Sequence, residues 1–173
     1  MTSTRYYGKY RGTVMNNIDP MLRGRLMVQV PDVTGAAPGT WAEPCVPLAG
    51  PVGTPMGIYL VPPIGAGVWV EFEQGDRDHP IWVGCLWGSS GEIPPLARAG
   101  LPVSPSIVFQ TLGQNSFAIS DLPGPTGGIM LKSATGATLI VNDTGIYIQN
   151  GKGAALTLVG PTVDVNNGAL TVI

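Results

Sequence analysis

Hydrophobic residues in the second half of the chain come in pairs two positions apart, separated by polar and turn-forming residues. The pairs are Ile107/Phe109, Phe117/Ile119, Ile129/Leu131, Leu139/Val141, Ile146/Ile148, Leu156/Leu158, Val163/Val165 and Leu170/Val172. A spacing of two puts both members on one face of a β-strand. Gly, Asn, Asp, Pro, Ser and Thr fill the gaps, as in Gly113-Gln114-Asn115, Asn142 to Gly145 and Asn166 to Gly168. Successive pairs begin 7 to 12 residues apart, a quasi-repeat of strand and turn. Between 107 and 173 the only charged residues are Asp121, Lys132, Asp143, Lys152 and Asp164.

The first half follows a different pattern, with longer strand candidates. Tyr6 to Asn16 is one, and Gly24 to Val30 a second, with Leu26, Val28 and Val30 on one face. Asn17-Ile18-Asp19-Pro20 between them reads as a turn. Gly57 to Val61 is a third. Gly67 to Phe72 alternates cleanly, Val68, Val70 and Phe72 opposing Trp69 and Glu71. After the polar turn Gln74 to His79, Pro80 to Trp87 is a fifth. No segment has helical periodicity. Five strands in a segment this short fit a small closed barrel, and the OB-fold is the common five-stranded form. Residues 89–106 carry four prolines without periodicity and read as an extended linker. The predicted organisation is a barrel over 1–88, a Pro-rich linker over 89–106 and a repetitive β-domain over 107–173.

Short strands with one apolar face must bury that face, and a lone meander leaves it wet and its edges open. Two packings meet the need: a single-chain solenoid, or several identical chains wound about one axis. A solenoid of this length would make few turns and shows no cap. Intertwined chains close the sheet with less sequence per chain, and are the expected arrangement.

Composition narrows the function. The chain has 173 residues, 44% of them hydrophobic and 12% charged, with 25 Gly and 17 Pro. That apolar content argues against disorder, and dense Gly and Pro suit many tight turns. A net charge of −2 without a basic stripe argues against nucleic-acid binding. Cys45 and Cys85 are too few for a disulfide scaffold and do not have metal-site spacing. Buried free thiols are expected, with a disulfide as the alternative. No apolar run is long enough for a transmembrane helix, and the N-terminus lacks the apolar stretch of a signal peptide. Synthesis in the cytoplasm is therefore expected. No nucleophile elbow, phosphate loop or metal spacing is present. His79, Asp76 and Asp78 read as a solvated turn, since no glycine follows the two acids in Gln74 to His79 and the distal Glu of a calcium loop is missing. Glu71 and Glu73 read as surface charges. Trp69, Trp82, Trp87 and Tyr59 read as packing residues, although a base-stacking platform has the same composition. No cofactor, metal or catalytic residue is expected, and the chain does not read as an enzyme.

The first half resembles the OB domain of central spike proteins of contractile injection systems, including phage baseplate assembly protein V and the VgrG spikes of type VI secretion. The resemblance lies in Tyr10-Arg11-Gly12-Thr13-Val14, Asp19-Pro20, Gly24 to Pro31, and Trp41-Ala42-Glu43-Pro44-Cys45. Its most specific part runs from Pro62 to Asp76 and from Asp78 to Gly88. The second half resembles the family's trimeric β-helix. The resemblance implies an all-β protein, a five-stranded OB-type barrel followed by an intertwined trimeric β-helix needle. It implies a homotrimer that punctures a target membrane or envelope, with the barrels on a separate hub or baseplate protein. It further implies a tip protein of the PAAR type on the blunt end Leu170, Thr171, Val172 and Ile173, possible effector cargo, and residence in an assembled phage tail-like particle. The chain starts at the barrel, so the hub is expected to be a separate protein. The short linker leaves no room for an inserted lysozyme domain, and the sole histidine, His79, is too far upstream for a metal-bound tip. The alternative reading is an OB-fold nucleic-acid-binding module with an oligomerising β-tail. An envelope enzyme such as a wall hydrolase would need a catalytic dyad that the sequence does not offer.

Overall fold

The computed structural model describes residues 4–172. The chain divides into two compact units between Ser90 and Gly91.

The first unit holds strands β1 (Tyr10–Asn16), β2 (Leu26–Gln29), β3 (Trp41–Pro44), β4 (Gly67–Phe72) and β5 (Pro80–Leu86), closed in the order β1-β2-β3-β5-β4. Neighbours are antiparallel except β3 and β5, which pair in parallel through Glu43–Ile81 and Pro44–Trp82. The ladder is irregular at Val14/Asn16 and at Trp69/Val70, where extra residues bend the strands as a small closed barrel requires. The core is built by strand alternation. Leu26, Val28 and Val30 from β2 and its end meet Val68, Val70 and Phe72 from β4, with Val14, Ala42 and Trp82 closing the interior. The tyrosines of the N-terminal segment complete one end, Tyr6 and Tyr10 packing their rings edge-on or tilted against Phe72.

The third strand of the barrel is not the expected one. Gly57 to Val61 makes no strand; Gly57 forms only an isolated bridge with Ala49. Five prolines between 47 and 63 remove backbone donors, so this segment cannot sustain a ladder. Trp41–Pro44 takes the place instead. A four-residue helix, α1 (Pro31–Thr34), precedes it, with proline in its first turn as helices tolerate.

The expected extended linker is also corrected. Residues 90–98 form a 3₁₀ turn (Ser90–Glu92) and a short helix, α2 (Pro95–Arg98), and Leu101 bridges Ser104. Pro95 again starts the helix, where its missing N–H would have had no partner. Ser104 donates to Asp121, tying this segment to the strands that follow it within the second unit.

The second unit is one antiparallel meander of eight strands. They are β6 (Ile107–Gln110), β7 (Ser116–Ser120), β8 (Gly128–Lys132), β9 (Thr138–Asn142), β10 (Gly145–Gln149), β11 (Ala155–Val159), β12 (Thr162–Val165) and β13 (Leu170–Val172). Each of the eight apolar pairs lies in its own strand. Within one chain this is a sheet of strands in which every strand bonds to its sequence neighbour; the expected β-helix is an arrangement of three chains, of which the single chain shows one sheet.

Candidate assembly surface

Register converts the apolar pairs into a continuous surface. Ile107 pairs with Ile119, Ile119 with Ile129, Ile129 with Val141, Val141 with Ile146, Ile146 with Leu158, Leu158 with Val163 and Val163 with Val172. A second row runs Phe109, Phe117, Leu131, Leu139, Ile148, Leu156, Val165, Leu170 through the same registers. Two parallel rows, one residue per strand in each, thus cross the whole sheet on one face. Directly opposed side chains of this kind are the unit of sheet stabilisation; Phe109 and Phe117, for example, stack with ring centroids 6.3 Å apart.

These rows are not buried by the chain that carries them. Ile107, Phe109, Ile129, Leu131, Leu139, Val141, Ile148, Leu170 and Val172 are all exposed. A contiguous apolar face of this length marks an interaction surface. On the opposite face the character changes along the sheet: Val108, Ala118, Met130 and Ile140 in the early strands give way to Thr157 and Asp164 in the later ones.

The turns hold the strands in register on both flanks. The Asp143 carboxylate accepts from Gly124 N–H at 3.0 and 3.2 Å, linking two turns that are not consecutive. On the other flank Asn115 Oδ1 accepts from Ala134 N–H at 3.1 Å. Asn142 closes its own hairpin, its Oδ1 accepting from Thr144 and Gly145 N–H at 2.9 and 3.1 Å. Asn and Asp in the gaps are therefore structural acceptors, which accounts for their abundance there.

The barrel has its own organised feature. Asp19, in the β1–β2 turn, is buried. Its carboxylate accepts N–H groups of Met21, Arg23 and Arg25 at 3.0, 2.8 and 3.2 Å, and the Arg25 guanidinium at 2.7 and 3.0 Å. The Arg25 guanidinium holds the Asp19 carboxyl well below the usual carboxylate range, against the opposing effect of burial and helped by the three backbone donors. Arg25 also lies over the Trp41 ring at 5.5 Å, fixing the turn to β3.

The remaining sequence candidates are dispersed. Leu170 and Val172 are exposed on β13, which bonds on one side only, to β12, with Thr171 in register with Asp164. Ile173 lies outside the described residues. Cys45 and Cys85 are free, as expected, but exposed rather than buried: each sits near the end of a barrel strand. Trp82 is buried, its Nε1–H donating to Gly24 O at 3.1 Å. Trp69, on the adjacent strand, points out beneath Arg11, and Trp87 and Tyr59 are exposed. The four aromatics thus form no common stacking platform. Glu71 pairs with Lys9. His79 lies 3.6 Å from Asp76, whose carboxyl is lowered chiefly by the Asp78 N–H. Among the described residues no three His, Cys, Asp or Glu side chains are placed to hold a metal, and no helix is long and apolar enough to cross a membrane.

A closed barrel in the 1-2-3-5-4 order, followed by a β-domain that exposes its apolar face, belongs to the class of OB-type barrels joined in one chain to an oligomerising β-domain. Within that class the assignment becomes specific. Residues 10–87 match the type VI secretion system/phage-baseplate injector OB domain, and residues 106–171 match the phage baseplate V C-terminal trimerisation domain. The chain belongs to the phage baseplate V family, and is a trimerising baseplate component of the phage and type VI secretion type. A comparison with curated proteins returns no match.

Proposed function

We propose that three copies of this chain form the central spike of a contractile, tail-like injection machine. The two exposed apolar rows of the second unit carry this reading. In a trimer each chain would turn its rows toward a common axis, and the sheets would wind into an intertwined β-helix needle with a dry interior. The barrels would seat on a separate hub protein. The last strand, with Leu170 and Val172 exposed at an open edge, would receive a tip protein of the PAAR type, and effectors would travel on the hub, tip or tube. Contraction of a sheath would drive the needle through a target envelope. The chain's contribution is mechanical rather than catalytic, so purified protein should show no wall-degrading activity in a zymogram; cleared zones would overturn that part.

Light scattering on the purified full chain tests the reading. Each chain has a mass of 18.0 kDa, and the expected particle has three times that mass at all concentrations where the protein is folded. A well-folded monomer would overturn the needle, because the apolar rows would then be stable in water.

A further inference from the structure

The barrel carries two apolar surfaces that its own core does not use. The first is the arm between β3 and β4. From residue 44 to residue 70 the chain contains no Asp, Glu, Lys, Arg or His. Its tip is a narrow hairpin, Gly50 N–H bonding Met56 O at 2.7 Å and Ile58 N–H bonding Leu48 O at 3.1 Å. Along it Leu48, Val52, Met56, Tyr59 and Leu60 are exposed, Val52 completely. A solvated loop has no physical reason to be both uncharged and this apolar.

The second surface is the β1–β2 turn. Asp19 draws three backbone N–H groups and Arg25 inward, and that fixed backbone turns Ile18, Met21 and Leu22 outward, with exposures of 75%, 60% and 86%. Leu22 sits at φ +54°, a left-handed conformation unfavourable for a branched residue. An ordered, strained backbone that presents a large apolar side chain to water is characteristic of a recognition element. The root of the arm reaches this turn: Asn17 Nδ2 donates to Pro62 O at 3.0 Å, and a Cβ on Gly24 would stand 3.3 Å from the Tyr59 ring. Even so, the knob of Met21 and Leu22 stays uncovered within the chain.

We propose that the arm of one barrel packs over the Ile18–Met21–Leu22 knob of the next barrel in the trimer. The inference rests on the trimer reading above. A cyclic trimer contact is heterologous, so each copy must offer two different surfaces, one to each neighbour. This barrel has two such surfaces, an arm and a knob. Neither the arm nor the three knob side chains carry charge, so copies meeting there do not repel one another. Tethering to the trimerisation domain raises the effective concentration of barrels for one another to the order of millimolar, so a modest apolar contact suffices.

The test uses the full chain with photoreactive benzoylphenylalanine in place of Leu22, prepared as a mixture of isotopically heavy and light copies. Light scattering first establishes the mass. In a trimer, irradiation should give heavy–light adducts that map to residues 45–64. A trimer of the correct mass whose position 22 gives no interchain adduct overturns the barrel contact and leaves the surface to a different protein. A monomer overturns the trimer reading, and the barrel contact with it. The Leu22→Gly variant supplies a second readout. Glycine relieves the backbone strain, so a purely local role predicts unchanged or slower exchange of the arm amides. The proposed contact predicts exchange there about tenfold faster within an intact trimer.

Discussion

Asp19 shows how one residue sets the shape of a turn. Its carboxylate is the common acceptor for three backbone N–H groups and the Arg25 guanidinium, so the turn depends on its charge. Because the folded carboxyl is held below its ordinary value, its stabilisation is complete above the unfolded Asp pKa of about 3.9 and is lost as pH falls toward the folded value. Denaturant midpoints of the full chain should therefore drop below about pH 4. Asp19→Asn should lower the midpoint at neutral pH and flatten that acid limb; an unchanged acid limb would remove Asp19 from the account. Leu26 represents the opposite kind of residue, wholly buried and apolar at the barrel centre. Leu26→Ala should cost about 2–5 kcal/mol in barrel unfolding, from lost burial and the cavity left behind. Of these two, Leu26 was legible as a core residue from period-two alternation. Asp19 was not: the sequence marks it as part of a turn, and its partners at Arg23 and Arg25 are fixed by how the turn folds back.

At the level of elements, the strands of the second unit are set by side-chain pairing and the turns by backbone shape. Gly128 opens β8 at φ +84°, and a Cβ there would stand 2.1 Å from Val141 O on the paired strand β9. Gly128→Ala should therefore destabilise the sheet by more than about 1 kcal/mol, read as an earlier loss of hydrogen-exchange protection in β8 and β9. The apolar rows are a separate matter. Leu139, central in the second row, is exposed in the single chain. Leu139→Asp should leave the barrel's unfolding unchanged and abolish the trimer on light scattering. A variant that remains trimeric would show that the rows face solvent in the assembly. The strands and their facing residues were readable because period two is a local property. The Gly57–Val61 segment was misread for the same reason: it has strand-like composition, but its flanking prolines deny it a ladder partner.

For the molecule as a whole, stability and assembly should be inseparable. In the proposed trimer the two apolar rows that one chain leaves uncovered gain their burial from other copies, so the apparent melting temperature should rise with protein concentration. A melting temperature independent of concentration over a hundredfold dilution, about two decades, would mean that each chain satisfies itself. The comparatively charge-poor composition fits a protein whose largest apolar surface is meant for copies of itself rather than for water.

The sequence by itself determined the eight strand positions of the second unit and the side each pair faces. It also carried the motifs that place the first unit in its family. Alternation, turn residues and composition are local signals, and each of those conclusions depends on nothing more distant than the next strand. Tertiary structure alone decided the rest. It chose Trp41–Pro44 as the third barrel strand, because only closure brings Glu43 beside Ile81. It exposed Cys45 and Cys85, separated Trp69 from Trp82 by strand face, and gathered backbone donors onto Asp19. Each of these depends on which distant segments meet, and long-range pairing leaves no periodic trace along the chain.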